Sequence, residues 1–247
     1  MRDELYKSSS TANASSASSF VFDEKVAAVF DDMIERSVPT YSGSLDFIAK
    51  VWKHWQIPGA IIYDLGCSTG AVFRRMLEVT TVADVTFVGI DNSAPMLQRA
   101  QQNLADLTTA KGATLELNCL GIEQASLKNA TGVILNYTLQ FLAPLDRVPL
   151  LSRIHQELKS PGFLVLSEKI HHADEATGAL LNEMHFDFKR EQGYSDLEIA
   201  RKRAALENVL VPWTLEENLA AIRSAGFETA HVVLLWCNFA TILARKR

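Results

Sequence analysis

Residues 61–70, Ile-Ile-Tyr-Asp-Leu-Gly-Cys-Ser-Thr-Gly, decide the fold of this chain. They have the pattern of a buried strand that runs into a turn of small residues and opens a helix. Such turns let the backbone approach a ligand closely and point amide groups at it. The next predicted strand ends at Asp91, 25 positions after Gly66 (91 minus 66). A carboxylate there can hydrogen-bond the ribose hydroxyls of a nucleoside, so the two segments predict a nucleoside-binding site.

The same turn allows two other interpretations. As a dinucleotide fingerprint it lacks the middle glycine of G-x-G-x-x-G, where Ser68 stands, and its last glycine comes one residue early. As G-x-S-x-G it matches the nucleophile elbow of hydrolases, with Ser68 as nucleophile and His171 or His231 as base. That elbow normally follows several strands, whereas this turn follows the first predicted strand. The nucleoside site is therefore preferred.

Strand and helix patterns alternate from residue 60 onward, which predicts an α/β protein with a doubly wound, mostly parallel sheet of seven strands. The last two strand patterns are adjacent in sequence and predict an antiparallel hairpin at one edge of the sheet. The predicted strands are 60–66, 85–91, 113–119, 131–137, 163–168, 229–236 and 238–244, and the predicted helices between them include 70–79, 94–107 and 146–158.

The segments outside this alternation predict a tail, two helices and a lid. The serine-rich start of the chain predicts a disordered tail over residues 1–19, followed by a single domain over 20–247. Apolar residues at helical spacing after Asp23 predict a helix ended by Pro39, and a second helix covers residues 44–55. Residues 174–208 are predicted as an inserted helical lid that is divided at Gly193, with Ser195 and Glu198 in a capping-box pattern for its second half.

Composition excludes several classes of function. With 247 residues and 48% hydrophobic content, the chain fits a globular protein without a membrane span, which would need about 20 consecutive apolar residues. The start of the chain lacks the apolar region of a secretory signal, so we expect a cytoplasmic location. The three cysteines are far apart, which argues against a structural metal or disulfide scaffold. A net charge of -5 argues against direct nucleic-acid binding.

Several segments carry a family resemblance. DLGCSTG (64–70) and GIDNSAPM (89–96) resemble the methionine-facing and ribose-facing motifs of the Rossmann-like S-adenosylmethionine-dependent methyltransferases. The chain from residue 20 onward resembles the carboxy-S-adenosyl-L-methionine synthases more specifically. The segments that carry this are FDEKVAAVFDDMIERSVPTYS (22–42), ILNYTLQFL (134–142), LVLSEK (164–169) and FKREQGYSDLEIARKRAALENVL (188–210).

The resemblance implies an enzyme, a transferase that uses S-adenosyl-L-methionine and prephenate and forms carboxy-S-adenosyl-L-methionine and phenylpyruvate without a metal. The methyl carbon on the sulfonium loses a proton to become an ylide, which captures the carbon dioxide that prephenate releases. A partner enzyme uses the product to modify wobble uridine in tRNA. The resemblance also implies a homodimer. The alternatives are a small-molecule methyltransferase and a catalytically silent ligand-binding homologue.

The resemblance assigns roles to individual residues. It places the methionine portion at the turn and the ribose and adenine beside the next strand, and it gives the added carboxylate an arginine partner, whose planar fork suits bidentate binding. Without the resemblance, a basic run such as 201–203 on a helix is usually a solvated face. The implied residues are Tyr41, Gly66, Cys67, Ser68, Asp91, Asn92, Asn136 and Arg203.

One position departs from the family pattern. Gly121 and Ile122 occupy the adenine-contacting pair, where the family usually has an aspartate followed by isoleucine. Gly121 has no side chain to accept a bond from the adenine amino group, although the Ile122 amide can still contact the ring. A lost hydrogen bond costs about 0.5–1.5 kcal/mol, so we expect weaker binding of the nucleoside rather than a different reaction.

Overall fold

The computed structural model describes residues 3, 5, 22–207 and 209–247. The predicted disordered tail, residues 1–19, lies outside the described residues except at Asp3 and Leu5. At these two positions the chain contacts the domain, because the buried Asp3 hydrogen-bonds Asp32 and Tyr194 and Leu5 packs against a cluster on the first helix. The disordered tail over residues 1–19 stays a prediction.

Seven strands in the described part of the chain form one sheet, as predicted. Its order is β3-β2-β1-β4-β5-β7-β6, with parallel pairing from β3 to β5 and antiparallel pairing of β7 with both β5 and β6. The strands are β1 Ile61–Leu65, β2 Thr86–Asp91, β3 Thr114–Cys119, β4 Gly132–Asn136, β5 Gly162–Lys169, β6 Thr229–Trp236 and β7 Phe239–Lys246.

Eight α-helices surround this sheet in the described residues. Each predicted helix is present, and the largest shift of a boundary within the alternating part is at the end of α4, predicted at residue 107 and found at Lys111. The helices are α1 Glu24–Glu35, α2 Tyr41–Trp55, α3 Ala71–Val79, α4 Ala94–Lys111, α5 Pro144–Glu157, α6 Glu175–Glu191, α7 Asp196–Leu206 and α8 Leu215–Ser224.

The central strands of the sheet are buried, because helices pack on both of its faces. Helices α2, α3 and α4 pack on one face in a cluster that includes Trp52 and Phe73. Helices α5 and α8 pack on the other face through Ile154 and Ile222. None of the helices in the described ranges combines the length and the apolar composition needed to cross a bilayer.

The amino-terminal helices differ from their predicted boundaries. Helix α1 is capped by the Asp23 carboxylate, and it ends at Glu35 rather than at Pro39. Helix α2 begins at Tyr41 rather than at residue 44. Proline disfavours helical conformation at the residue before it, which is Val38. Helix α1 has already ended in a turn before that residue. The earlier start of α2 brings Tyr41 into its first turn.

The predicted lid consists of α6 and α7. A break at Gly193 separates them, and Ser195 caps α7 in a reciprocal pair with Glu198, as the sequence predicts. The buried His185 of α6 hydrogen-bonds the Ser37 carbonyl in the segment between α1 and α2. The lid is therefore attached to the amino-terminal helices, which places α7 beside the carboxyl ends of the sheet strands.

Candidate active site

The strand order of the sheet reverses at β1, because β2 lies on one side of β1 and β4 on the other. Ligands of doubly wound sheets bind at the carboxyl ends of the strands beside such a point. A cavity of about 470 Å³ lies there. Nine predicted site residues line it, namely Tyr41, Gly66, Cys67, Ser68, Asp91, Asn92, Gly121, Ile122 and Asn136.

The turn after β1 is closed by backbone hydrogen bonds to β2. Gly66 and Cys67 both donate to the Ile90 carbonyl, at 2.7 and 3.0 Å. Gly66 has a φ of +79°, and a β-carbon there would lie 2.5 Å from the side chain of Thr138. Only glycine fits both the conformation and the space, which brings the backbone of the turn to the cavity wall.

Asp91 is held in place by two backbone donors. Its carboxylate accepts hydrogen bonds from the Ser68 amide and the Ser93 amide, both at 2.9 Å. Burial raises the pKa of Asp91, and these two bonds act in the opposite direction. Each carboxylate oxygen keeps a lone pair for a further donor. The side chain is thus positioned to accept two hydroxyl groups from the cavity.

Two polar side chains of the cavity wall have oxygen atoms without a hydrogen bond in the described part of the chain. Asp64 is 1% exposed, and neither of its carboxylate oxygens has a hydrogen bond. The side-chain oxygen of Asn136 is also buried and unbonded. Burial raises the pKa of Asp64 to about 8, and the nearby charge of Asp91 adds to this effect. A buried carboxylate without a partner is costly, so the wall is suited to a ligand that carries positive charge.

Tyr137 connects the end of β4 to the amino-terminal helices. Its φ is +62°, in a region that side-chain-bearing residues rarely adopt. Its hydroxyl hydrogen-bonds Thr40 at 2.7 Å, and its ring packs against Tyr41 at 6.2 Å between centroids. These contacts fix Tyr41 against the cavity opposite the turn.

The loop after β3 contains the departure from the family pattern. Gly121 has an ordinary extended conformation, with φ -65° and ψ 142°, which any residue can adopt. A β-carbon at this position would overlap the carboxylate of Glu123, which also lines the cavity. The space that a side chain at 121 would fill is therefore taken by another acidic group.

The lid contributes Lys202 to the cavity and not Arg203. Lys202 is buried and lines the cavity, whereas Arg203 is exposed and is not part of the lining. The charge of Arg203 acts on Lys169, whose pKa is lowered by burial first and by Arg203 second. The arginine expected at the carboxylate therefore lies outside the cavity of its own chain.

The hydrolase interpretation finds no base in the structure. The Ser68 hydroxyl donates to the sulfur of Met96 at 3.5 Å. The imidazole of His171 lies 3.8 Å from the Glu217 carboxylate beside α8, and His231 is exposed on the edge strand β6. Neither histidine is a partner of Ser68 in the described residues, so that interpretation is not supported.

Among the cavity residues to which the sequence analysis gave no role are Asp64, Glu123, Tyr137 and Lys202. Asp64 had a usable signal, because it is the acidic residue at the end of a buried strand, directly before the glycine turn. Lys202 had only its place in a basic run. Its burial depends on how α7 is rotated against the rest of the protein, which local sequence does not determine.

Known proteins resemble this chain in sequence and in structure. A family model described as a methyltransferase domain matches residues 63–164. The carboxy-S-adenosyl-L-methionine synthase of Helicobacter pylori strain Shi470 is 42% identical over 250 residues, covering 100% of both chains. That of Geobacter metallireducens is 43% identical over 227 residues, covering 92% of this chain and 93% of the relative. The chain belongs to the carboxy-S-adenosyl-L-methionine synthase family.

Membership of the synthase family confirms the resemblance found in the sequence. Solved structures support the fold. An O-methyltransferase family protein from Burkholderia thailandensis has a TM-score of 0.67 at 14% identity, over 94% of this chain and 65% of that one. Human N-acetylserotonin methyltransferase in complex with SAM has a TM-score of 0.57 at 16% identity, over 90% and 55%. The predicted Rossmann-like architecture of the synthase family is therefore confirmed.

Proposed function

We propose that this protein converts S-adenosyl-L-methionine and prephenate into carboxy-S-adenosyl-L-methionine and phenylpyruvate. The observation that carries the proposal is the similarity over the full chain to proteins named carboxy-S-adenosyl-L-methionine synthase. The charges of the cavity support it, because the unpartnered Asp64 suits a cationic ligand and the positioned Asp91 suits a ribose.

Binding of the nucleoside is divided among four parts of the wall. Asp91 accepts the ribose hydroxyls, and the Ile122 amide faces the adenine. The turn at 66–68 holds the methionine portion, and Asp64 balances its positive charge. Asn136 presents its unbonded oxygen at the end of β4, beside the reacting sulfonium. The fixed positions of these groups hold the methyl carbon in register with the second reactant.

The proposed reaction balances without a metal. Prephenate loses carbon dioxide and hydroxide and becomes phenylpyruvate. The methyl carbon of the sulfonium loses a proton and forms a bond to the carbon dioxide, and the proton and hydroxide make water. The protein holds both reactants and excludes bulk water that would return a proton to the methyl carbon. Apolar lid-side residues such as Leu206 and Leu210 contribute to this exclusion.

Arg203 has a proposed role between two copies of the chain. Its side chain is exposed on α7, outside the cavity of its own chain. We propose a homodimer in which Arg203 of one protomer pairs with the added carboxylate bound to the other. A guanidinium and a carboxylate form a bidentate pair that a lysine does not reproduce.

The product has a proposed use outside this protein. We propose a cytoplasmic enzyme whose carboxylated product goes to a separate tRNA-modifying enzyme, where it serves wobble uridine. The chain has a net charge of -5, which does not favour direct contact with nucleic acid. The proposal therefore assigns RNA binding to the partner enzyme.

Product analysis tests the reaction. The purified protein is incubated with S-adenosylmethionine and prephenate, and the products are identified by mass spectrometry, together with any ligand that copurifies. Carboxy-S-adenosylmethionine and phenylpyruvate in equal amounts are expected. Transfer of the methyl group to an acceptor with release of S-adenosylhomocysteine would instead identify a methyltransferase, which the match to a methyltransferase domain makes the second candidate. Ligand binding without turnover would identify a silent homologue.

A further inference from the structure

The charged groups of the cavity are arranged by sign. Asp64 and Asp91 lie at the ends of β1 and β2, and Glu123 follows β3. Lys202, on α7 of the lid, is the one cationic side chain among the described residues that line this cavity. A ligand that spans the cavity therefore meets negative charge on the sheet side and positive charge on the lid side.

Lys202 is buried, and its ammonium donates to three acceptors in the described residues. These are the Ser37 hydroxyl at 2.8 Å, the Tyr194 hydroxyl at 3.3 Å and the Asp3 carboxylate at 3.5 Å. Asp3 is its one ion-pair partner among the described residues, and this contact is the longest of the three. Burial lowers the pKa of Lys202 to about 8 despite the attraction of Asp3. The long contacts to Tyr194 and Asp3 are the ones that a ligand carboxylate beside Lys202 would replace or share.

Two more lysines strengthen the positive potential under the lid. Lys169 ends β5, and Lys189 lies in the last turn of α6. Burial lowers the pKa of Lys189 to about 7, with further contributions from the charges of Lys169 and Lys202. Neither Lys169 nor Lys189 forms an ion pair within the described part of the chain. The charges of these two lysines act on the surroundings of Lys202, although neither side chain lines the cavity.

We propose that Lys202 binds, on the lid side of the cavity, a carboxylate that S-adenosylmethionine lacks, and thereby makes the site selective for the carboxylated reactants. This inference rests on the proposed function, which supplies such carboxylates. The carboxylate has two sources, the carbon dioxide donor and the carboxyl group added to the nucleoside. Both nucleosides also carry the methionine carboxylate, so binding of that group by Lys202 would lower both affinities equally. Because Lys202 lies on the lid side and Asp64 near the end of β1, the ligand has its positive centre at the sheet and its carboxylate at the lid.

The competing explanation is that Lys202 only anchors α7 to Asp3 and Ser37. The two explanations predict different results. An anchor lowers the affinity for every ligand equally when it is removed, because the lid loosens as a whole. A carboxylate-binding residue lowers the affinity for carboxylated ligands selectively, since truncating one partner of a shielded charge pair leaves the other unpaired.

Isothermal titration calorimetry and steady-state kinetics test this on the full-length protein. Calorimetry compares S-adenosylmethionine with carboxy-S-adenosylmethionine, and kinetics give the KM for prephenate. We expect Lys202→Met to lose about tenfold to about a hundredfold in one or both carboxylate measurements, with S-adenosylmethionine affinity within a few fold. Loss in calorimetry assigns the added carboxyl group, and loss in KM assigns the donor. Lys202→Arg keeps the positive charge and should recover part of the loss.

A matched control is Lys53→Met, which makes the same change at an exposed position of α2 and should alter neither measurement. If Lys202→Met does not fold, Lys202→Gln retains a donor for Ser37 and serves in its place. Equal loss for both nucleosides with unchanged KM, or no loss at all, overturns the proposal. If the wild-type protein binds no S-adenosylmethionine, the proposed function fails and this inference fails with it.

Discussion

Replacing Asp64 with asparagine removes the unpartnered buried carboxylate from the cavity while keeping its shape. In the free protein the pKa of Asp64 is about 8, because burial penalises the ionised form. A cationic ligand needs the ionised form, so binding must release the proton that Asp64 holds. The Asp64→Asn variant should therefore bind S-adenosylmethionine more weakly at neutral pH and lose the dependence on this proton.

The size of the effect follows from the pKa. At about pH 6 roughly one molecule in a hundred has Asp64 ionised, and at about pH 7 roughly one in ten. The wild-type affinity should rise about tenfold over this interval, which corresponds to about 1.4 kcal/mol. This interval lies below the usual pKa of an α-amino group, so the ammonium of the ligand stays charged throughout.

Calorimetry in two buffers with different ionisation enthalpies measures the proton directly. About one proton should be released per wild-type binding event at pH 6, and about none from Asp64→Asn. Asp46→Asn is the matched control, because Asp46 is exposed on α2 and should leave the profile unchanged. If wild type and Asp64→Asn show the same affinity and the same pH profile, Asp64 does not contact a positive charge.

The same pKa has a consequence for folding stability. A carboxyl group with a higher pKa in the folded state than its usual 3.8 binds more protons when folded. Its favourable contribution is therefore full below about pH 4 and is lost as the pH rises through about 8. Thermal unfolding near pH 8.5 should show Asp64→Asn to be more stable than wild type, although it binds the ligand less well.

Three further substitutions test the other assigned groups. Asp91→Ala should abolish binding of S-adenosylmethionine in calorimetry, and an affinity within about a factor of two of wild type would remove its ribose role. Gly121→Asp should keep the binding of S-adenosylmethionine or tighten it by about 0.5–1.5 kcal/mol. The backbone at residue 121 accepts any residue, and only the flexible end of Glu123 must move. A large loss of affinity would mean that residue 121 does not face the adenine. Arg203→Ala should weaken binding of the carboxylated nucleoside by about 2 kcal/mol or more and leave S-adenosylmethionine within a few fold, whereas equal losses would make Arg203 structural.

The sequence predicts most of the fold because the signals for strands, turns and helix caps come from residues that are close to one another in the chain. The buried strand before Gly66, the acidic end of the next strand and the capping pair Ser195 and Glu198 each depend on residues close in sequence. The ends of helices are less determined. Helix α1 ends before Pro39 because its last turn closes on Ile34 through backbone bonds from residues 37 and 38.

The cavity is less predictable where it depends on distant contacts. The turn at 66–68 and Asp91 follow from strand ends that the sheet order brings together, whereas the other predicted residues along the wall follow from the family resemblance. The sequence does not predict that Lys202 rather than Arg203 lines the cavity. That outcome depends on Asp3 and Ser37, which lie far away in sequence and fix the rotation of α7 by hydrogen bonds to Lys202. The sequence also does not predict that the Glu123 carboxylate occupies the space beside Gly121.

The left-handed backbone at Ser68 sets stability and function against each other. Its φ angle is +49°, and such a conformation costs a residue with a side chain about 1 kcal/mol or more relative to glycine. Glycine at this position would relieve that cost while deleting a side chain of the cavity wall. Tyr137 also has a left-handed backbone, with a φ of +62°, but its buried ring and its hydrogen bond to Thr40 contribute more to stability than the backbone costs. Directed evolution for heat resistance alone should therefore enrich glycine at residue 68 and keep the tyrosine at 137, and it should yield sturdier proteins with a weakened site.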